Sequence, residues 1–184
     1  KAQRHSRAGR PLTMTSIRLV LGGARSGKSA FAERVARETG LERHYLATSR
    51  IYDDAHAARI ELHRQARAGD DWTVHEEPVA LPEILRELAA ENRVVLVDCL
   101  TLWLTNLLLD NMDIDAHFDG LEEVLPTLPG AVLFVANEVG LSVAPETKLG
   151  NQFRDWAGVL NQRVAHHAQH VDFIAAGLPL KLKG

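Results

Sequence analysis

Short apolar runs alternate with amphipathic stretches along most of this chain. The apolar runs predict strands, because parallel strands covered by helices on both faces read as continuous hydrophobic segments. These runs lie at residues 17–21, 44–48, 72–75, 93–98, 131–136 and 171–176, with a candidate edge strand at 178–183. Helical periodicity predicts helices over residues 29–37, 53–67, 81–90, 100–109 and 118–125, and a long helix that follows Pro145 and runs towards Gln169.

Alternation of strands with helices predicts an α/β fold with a mostly parallel sheet and helices on both faces. The 184 residues are most simply one domain, which we expect to span residues 14–184. Residues 1–13 are basic and lack the apolar region of a secretory signal. We therefore interpret residues 1–13 as an N-terminal appendage to that domain.

One octapeptide carries the most specific signal. Residues 22–29 fit the G-x-x-x-x-G-K-[ST] pattern of a P-loop and lie between a predicted strand and a predicted helix. That arrangement presents backbone N–H groups and the positive end of a helix to phosphate, while a lysine and a hydroxyl serve the terminal phosphates and Mg²⁺. The alternative is a glycine turn with a chance lysine. We predict a P-loop NTPase-like domain whose nucleotide is bound by Gly22, Gly23, Ala24, Arg25, Ser26, Gly27, Lys28 and Ser29.

Asp98 ends the apolar run of residues 93–98. Ligands of open α/β sheets bind at the carboxyl ends of the strands, so this carboxylate is placed to meet Mg²⁺ or nucleotide as a Walker-B aspartate does. The alternative is an N-cap for the helix that begins near Leu100. The P-loop in the same predicted sheet favours the metal or nucleotide role.

The predicted helix over residues 53–67 carries a basic face. Positions i, i+3, i+4, i+7 and i+11 share one side of a helix, and here they are His56, Arg59, Ile60, His63 and Arg67. A neutral imidazole among arginines suits phosphate chemistry, because the ring is a nucleophile and the arginines hold phosphate oxygens. From spacing alone, a solvated basic face remains the stronger interpretation.

Other polar residues have weaker signals. Asn137 and Glu138 follow the strand that ends at Ala136, where Glu138 could act on a substrate or a metal or simply form a polar turn. His166, His167 and His170 have metal-pair spacing, but no third ligand is evident nearby. Cys99, Trp103 and Leu107 are expected to be core residues.

Composition narrows the class of protein further. The net charge of −3 gives no reason to expect nucleic acid as an electrostatic partner. The single cysteine excludes an intramolecular disulfide and fits a reducing compartment such as the cytoplasm. No apolar run approaches the roughly 20 residues that span a bilayer. Composition therefore gives no indication of a nucleic-acid partner or of a membrane-spanning segment.

Taken together, these motifs resemble the bifunctional adenosylcobinamide kinase / adenosylcobinamide-phosphate guanylyltransferase family of cobalamin assembly. The P-loop alone is generic, but an ordered set that runs from about residue 17 to residue 183 is specific. That set comprises residues 22–29, Ala47-Thr-Ser-Arg50, Asp53-Asp-x-x-Ala-Ala-Arg59, His63-Arg-x-x-Arg67, Trp72-x-x-x-Glu76-x-Pro78, Asn137-Glu-Val-Gly140, Pro145-Glu146, and Phe153-Arg-Asp155 through Asn161-Gln-Arg163.

The resemblance implies two reactions. The first phosphorylates the aminopropanol hydroxyl of adenosylcobinamide with ATP or GTP. The second transfers GMP from GTP to that phosphate through a histidine–GMP intermediate, and it yields adenosylcobinamide-GDP and pyrophosphate. The position that matches the family's histidine is His63, which reverses the interpretation from spacing alone.

The resemblance also implies a set of site residues. By this resemblance, His63 and Lys28 are the catalytic residues. Ser29 and Asp98 bind Mg²⁺ together with the nucleotide phosphates. Relatives assemble as homo-oligomers, including a trimer. Three departures from the family blur the base and sugar contacts: Asp98 where relatives can have Glu, Ala68 in place of a frequent proline, and Leu62 where some relatives have a second histidine. Beyond the P-loop, the implied nucleotide contacts are Thr48, Ser49, Arg50, Arg64, Gln65, Ala66, Arg67, Glu76 and Asp98.

Two other functions remain open at the level of sequence. A monofunctional P-loop small-molecule kinase would use the same loop, with His63 merely structural. A nucleotide-switched binding module would bind the nucleotide without turning over a corrinoid. Covalent guanylylation separates the bifunctional enzyme from both.

Overall fold

A single mixed sheet organises the chain. The computed structural model describes residues 15–50 and 71–184, which form a seven-stranded sheet in the order β3-β2-β4-β5-β1-β6-β7. The strands are β1 (Thr15–Gly22), β2 (Glu42–Ala47), β3 (Trp72–Glu76), β4 (Arg93–Asp98), β5 (Gly130–Asn137), β6 (His170–Ala175) and β7 (Leu178–Lys183). All neighbouring pairs are parallel except β6 and β7.

Helices connect the strands as the alternation predicts. They are α1 (Lys28–Glu38), α2 (Leu81–Leu88), α3 (Leu100–Leu109), α4 (Ile114–Val124) and α5 (Lys148–His167), and a 3₁₀ turn (Leu125–Thr127) follows α4. The predicted α/β class and the mostly parallel sheet are therefore confirmed. The helix predicted over residues 53–67 lies outside the described residues.

The sheet separates two apolar cores. Alternate side chains of β1, β4 and β5 point to opposite faces, as strand geometry requires. On one face they pack against Ala32, Val35 and Ala36 of α1. On the other face they meet the buried sides of α2, α3, α4 and α5, with the rings of Trp103 and Phe118 at the centre.

Helix boundaries depend on local caps. Helix α4 begins at Ile114, four residues before the predicted start, because the Asp113 carboxylate accepts a hydrogen bond from the Ala116 N–H at 3.1 Å. The Thr147 hydroxyl caps α5 in the same way by accepting from the Gly150 N–H at 3.0 Å. At the other end of α5, the Lys183 ammonium donates to the Ala165 and His166 carbonyls. Strand β7 is thereby tied to the end of α5.

Candidate functional site

The carboxyl ends of the parallel strands gather most of the predicted site residues along one edge. Gly22 pairs with Asn137, and Ala47 lies between Asp98 and Glu76 in the strand register. The glycine loop after β1, residues 48–50 after β2, and the ends of β3, β4 and β5 consequently share this edge. Ligands of open α/β sheets bind at such an edge.

The P-loop has the backbone geometry that its glycines predict. Gly27 has a φ of +94° and precedes Lys28, the first residue of α1. A Cβ at Gly22 would lie 2.6 Å from the backbone carbonyl oxygen of Ile174, which cannot move aside, so glycine is required there. Helix α1 therefore starts directly from the loop and offers its first N–H groups at a depression lined by residues 25–30.

Hydrogen bonds to the carbonyls of Gly23 and Ser26 hold the loop in shape. The Gly177 N–H, in the turn between β6 and β7, donates to the Ser26 carbonyl at 2.8 Å. The Lys28 ammonium donates to the Gly23 carbonyl at 3.1 Å. The lysine thus bridges the loop at the place where a terminal phosphate is bound in P-loop proteins.

Asp98 points to the same face of the sheet as α1. Val94 and Leu96, its alternating neighbours in β4, belong to the core beneath that helix. The Tyr45 hydroxyl donates a hydrogen bond to the Asp98 Oδ2 at 2.8 Å. Cys99, and not Asp98, occupies the N-cap position of α3. The alternative of Asp98 as a helix cap is therefore wrong, and the carboxylate faces the side of the sheet that carries the P-loop.

Thr48 links two strand ends. It has no exposed surface, and its hydroxyl donates to the Cys99 carbonyl at 2.7 Å and accepts from the Cys99 N–H at 3.0 Å. The buried Asn106 amide donates to the carbonyls of Thr48 and Pro78 at 2.7 and 2.8 Å. Sequence reasoning missed Asn106, although an asparagine inside the apolar helix α3 is the signal that could have revealed it. This network fixes the edge on which the site is built.

Arg50, Ser49 and Glu76 lie further along the edge. The Arg50 guanidinium makes a bidentate pair with the Asp110 carboxylate, at 2.8 and 2.7 Å, and these hydrogen bonds lower the pKa of Asp110. Ser49 is half-buried, and Glu76 is exposed at the end of β3. Strand β3 lies four places from β1 in the sheet order, or about 19 Å at the usual strand spacing. Glu76 is thus well separated from the P-loop.

Five predicted residues lie outside the described part of the chain: His63, Arg64, Gln65, Ala66 and Arg67. The described residues on either side are Arg50, beyond the carboxyl end of β2, and Asp71, at the amino end of β3. The role of these five residues stays a prediction from the sequence.

Two histidines in contact, which the sequence did not predict, join β2 to the edge strand β3. The Nδ1 of the buried His44 lies 2.9 Å from the Nε2 of His75, and the two rings stack with their centroids 5.1 Å apart. The other nitrogen of His44 lies 3.0 Å from a carboxylate oxygen of Glu42. Burial first, and then the charges of His44 and Arg93, lower the pKa of His75.

The histidines late in α5 have the spacing of a metal pair, but the sequence offers no third ligand near them. Within residues 15–50 and 71–184, no three His, Cys, Asp or Glu side chains are arranged to hold a metal ion. The rings of His166 and His167 meet edge to face, and the His167 ring lies 3.5 Å from the Glu122 carboxylate. Cys99 is a buried core residue as expected, and burial raises the pKa of its thiol to about 11. None of the helices in these ranges is long and apolar enough to cross a membrane.

Comparison with known proteins places the chain in a family. The family model described as cobinamide kinase / cobinamide phosphate guanyltransferase matches residues 18–182. The bifunctional adenosylcobalamin biosynthesis protein CobP of Pseudomonas aeruginosa is 49% identical over 168 residues, covering 90% of this chain and 96% of that protein. CobU of Escherichia coli, which has the same description, is 38% identical over 180 residues, covering 90% and 98%.

Solved structures agree on the fold. The flagellar accessory protein FlaH of Methanocaldococcus jannaschii aligns with a TM-score of 0.52 at 13% identity, covering 91% of this chain and 78% of that one. An ATPase of a bacterial type III secretion system aligns with a TM-score of 0.53 at 12% identity, covering 90% and 56%. At such identities the likeness concerns the fold alone. The sequence matches, by contrast, show that the chain belongs to the cobinamide kinase / cobinamide phosphate guanyltransferase family.

Proposed function

We propose that this family member catalyses two consecutive reactions. It transfers a phosphoryl group from ATP or GTP to the aminopropanol hydroxyl of adenosylcobinamide, and then GMP from GTP to the resulting phosphate. One observation carries the proposal: a P-loop opens α1 on the face of the sheet to which Asp98 points, in a chain that matches the bifunctional family over residues 18–182.

The described residues supply binding and charge in both reactions. The backbone N–H groups at the start of α1 hold phosphate oxygens, and the Lys28 ammonium exchanges its bond to the Gly23 carbonyl for the terminal phosphates. Phosphoryl transfer depends mainly on positioning and charge neutralisation. The same loop therefore serves a leaving nucleoside diphosphate in the first reaction and a leaving pyrophosphate in the second.

The second reaction needs a nucleophile as well. A neutral His63 imidazole attacks the α-phosphorus of GTP, a nitrogen–phosphorus bond forms, and pyrophosphate leaves. An oxygen of adenosylcobinamide phosphate then displaces the imidazole, so GMP ends on the corrinoid. Arg64 and Arg67 flank the nucleophile in the sequence and would hold the phosphates. Ser49, Arg50 and Glu76 complete the expected nucleotide contacts, whereas Thr48, which has no exposed surface, would support them through its hydrogen bonds to Cys99.

The donors fit Mg²⁺. This ion prefers oxygen ligands and keeps few contacts to protein when phosphates also bind it. The Ser29 hydroxyl at the start of α1 and the Asp98 carboxylate are both oxygen donors, and the buried Ser26 Oγ, in the same loop as Ser29, has no hydrogen-bond partner among the described residues. Ser29 and Asp98 would hold the ion, which neutralises phosphate charge when bound.

Association and location belong to the same proposal. The family resemblance implies a homo-oligomer, for which a trimer is our first expectation, in the cytoplasm where ATP and GTP are available. Large exposed apolar side chains support association: Leu141 is 79% exposed and Val143 is 91% exposed. Light scattering during gel filtration gives the subunit number directly.

The test of the activity is an assay of each half-reaction. The purified protein is incubated with adenosylcobinamide and ATP, and separately with adenosylcobinamide phosphate and GTP, and the products are identified by mass. A bifunctional enzyme forms adenosylcobinamide phosphate in the first mixture and adenosylcobinamide-GDP in the second. A product in the first mixture alone identifies a monofunctional kinase, and nucleotide binding without any product identifies a switch module.

A further inference from the structure

The two proposed reactions differ in their need for a base. An alcohol loses its proton when it attacks phosphorus, so the kinase step needs a proton acceptor near the terminal phosphate. The guanylyl-transfer step needs none, because the attacking imidazole nitrogen and the attacking phosphate oxygen bear no proton that must be removed. A residue that accepts the proton of the alcohol is therefore required by only one of the two reactions.

We propose that Glu138 is the general base of the kinase step. This inference rests on the proposed function and adds a catalytic residue to it. In the step, the hydroxyl oxygen of the acceptor forms a bond to the γ-phosphorus, and the bond from that phosphorus to the bridging oxygen breaks. The nucleoside diphosphate leaves, and the hydroxyl proton passes to the Glu138 carboxylate and from there to water.

Sheet order brings Glu138 next to the P-loop. Strand β5 lies between β1 and β4, so the residues that follow β5 stand between the P-loop and Asp98. Within that edge, the Glu138 N–H donates to the Gly22 carbonyl at 3.2 Å. Glu138 is thus fixed directly to the first residue of the P-loop.

The other acidic groups near this edge in residues 15–50 and 71–184 have different positions or partners. Asp98 lies one strand further away and accepts from Tyr45, and Glu76 lies at the end of β3, four places from β1. The Glu77 carboxylate accepts from the Val79 and Ala80 N–H groups, and Asp110 is held by Arg50. On the opposite side of β1, Asp172 is buried and paired with Arg18 at 2.6 Å, level with Val20 and thus below the edge.

The loop that follows β5 orients the carboxylate of Glu138. Its Oε1 accepts a hydrogen bond from the Gly140 N–H at 2.8 Å, and a Cβ at residue 140 would lie 2.9 Å from that oxygen. No other hydrogen bond or ion pair of the Glu138 side chain occurs among the described residues. One oxygen therefore orients the half-buried carboxylate, and the second is available for a proton.

A neighbouring atom also points to a ligand here. Asn137 follows Leu133 and Val135 in the alternation of β5, so its side chain is on the face that carries α1. Its Oδ1 is buried and lacks a hydrogen-bond partner within the described parts of the chain. Its N–H is held by the Thr101 hydroxyl at 2.7 Å. An unsatisfied amide oxygen at a strand end beside the P-loop is free to accept a hydrogen bond from a polar ligand.

The test is Glu138→Gln, assayed separately for each reaction. Glutamine keeps an oxygen that can accept from the Gly140 N–H, so the loop is preserved while the base is lost. We expect phosphate transfer from ATP to adenosylcobinamide to fall by about 10²-fold or more. Guanylylation of the enzyme by GTP, and GMP transfer to supplied adenosylcobinamide phosphate, should stay within about threefold of the wild type. Glu146→Gln, on the exposed part of the same loop, is the matched control and should retain both reactions.

Each other outcome is decisive. Kinase turnover of Glu138→Gln within about threefold of the wild type overturns the proposal, since loss of a general base commonly costs about 10²–10⁴ in rate. An equal fall in both reactions also overturns it, because Glu138 would then support the shared P-loop. A fall of similar size in Glu146→Gln shows an effect of loop charge instead. A wild type that phosphorylates adenosylcobinamide without taking up guanylate contradicts the proposed function, while the kinase comparison still decides the role of Glu138.

Discussion

The phenol of Tyr45, on β2, donates a 2.8 Å hydrogen bond to the Oδ2 of Asp98 at the end of β4. The tyrosine is buried, with 6% of its surface exposed, and its ring lies edge to face against Trp72. Because the ring is held by packing, the hydroxyl fixes the direction of the carboxylate. Asp98 therefore has a fixed orientation on the face of the sheet that carries α1.

Removing the charge of Asp98 should weaken nucleotide binding and leave the fold intact. Asp98→Asn keeps the size and an acceptor for Tyr45, so the melting temperature should change little, while the affinity for nucleotide with Mg²⁺ should fall by about tenfold or more. Tyr45→Phe should have a smaller effect on affinity, because it keeps the charge of Asp98 and removes only the hydrogen bond that orients the carboxylate. Calorimetric titration with Mg²⁺ and nucleotide measures both. A collapse of stability in Asp98→Asn with unchanged affinity would identify a structural residue.

The Lys28 ammonium should be needed by both reactions. Lys28→Ala removes the charge that meets the leaving phosphates, and loss of one such contact commonly costs about 10²–10³ in rate. Arg34→Ala removes an exposed cation from the same helix and is the matched control. Steady-state rates of both reactions, with circular dichroism as a check on folding, give the comparison. Rates of Lys28→Ala close to those of the wild type would contradict a shared P-loop.

Acidification should destabilise the fold through two histidines. The pKa of His75 is lowered from its usual 6.5 by burial, then by His44 and Arg93; the pKa of His170 is lowered by burial, then by Arg18 and Lys181. Below pH 6.5 these two histidines therefore bind more protons in the unfolded chain than in the folded chain. Their contribution to the free energy of unfolding is fully present above this pH and is lost as the pH falls.

Melting temperatures between about pH 8 and pH 5 test this sign. His75→Gln should lose less stability on acidification than the wild type, relative to its own value at the upper pH, and the double variant with His170→Gln should lose still less. Glu42 titrates at a lower pH than this scan covers, because the hydrogen bond to His44 lowers the pKa of its carboxylate below the usual 4.5. Identical pH dependence in all three proteins would show that neither histidine is responsible.

Arg163 should stabilise the contact between α4 and α5. Its guanidinium lies 2.6, 3.0 and 3.1 Å from the carboxylates of Asp119, Glu122 and Asp115, and 5.6 Å from the centroid of the Phe118 ring. Arg163→Ala leaves three like charges together, so we expect a loss of about 1–2 kcal/mol in the free energy of unfolding. Arg86→Ala on the exposed face of α2 should change it by less than about 0.5 kcal/mol.

Salt separates the charge from the packing contribution of Arg163. At about 1 M salt the Debye length is near 3 Å, so the repulsion among the carboxylates is screened. The difference between Arg163→Ala and the wild type in urea unfolding should shrink there but not vanish, because the ring contact is lost in either case. A difference that does not depend on salt would assign the whole effect to packing.

The features that the sequence predicted are local ones. Strand β4 and helix α3 have the predicted bounds. Their signals, an apolar run and a helical periodicity, depend only on neighbouring residues in the sequence. The P-loop was equally visible, since its glycines, lysine and serine are adjacent. The start of α4 was missed because its first turn contains one large apolar residue, Ile114, and its signal is the Asp113 cap.

Contacts between distant segments could not be predicted in the same way. The bonds from Tyr45 to Asp98 and from Glu138 to Gly22 depend on the order of the strands, which periodicity does not specify. The bridge from Asn106 to the carbonyls of Thr48 and Pro78 likewise needs α3 to lie across the strand ends. Sequence spacing places residues along a helix or a strand, but tertiary packing decides which of them meet.

The central claim is that one chain carries both chemistries and that His63 is specific to the second. The most direct measurement is covalent labelling of the purified protein by GTP labelled at the α-phosphorus, with His63→Ala compared with His56→Ala on the same predicted helix face. The wild type and His56→Ala should take up an acid-labile, base-stable label that pyrophosphate discharges as GTP, as expected for a phosphoramidate. His63→Ala should take up none, yet it should still phosphorylate adenosylcobinamide. Label on His63→Ala, or wild-type label that maps to a residue other than His63, would contradict the account.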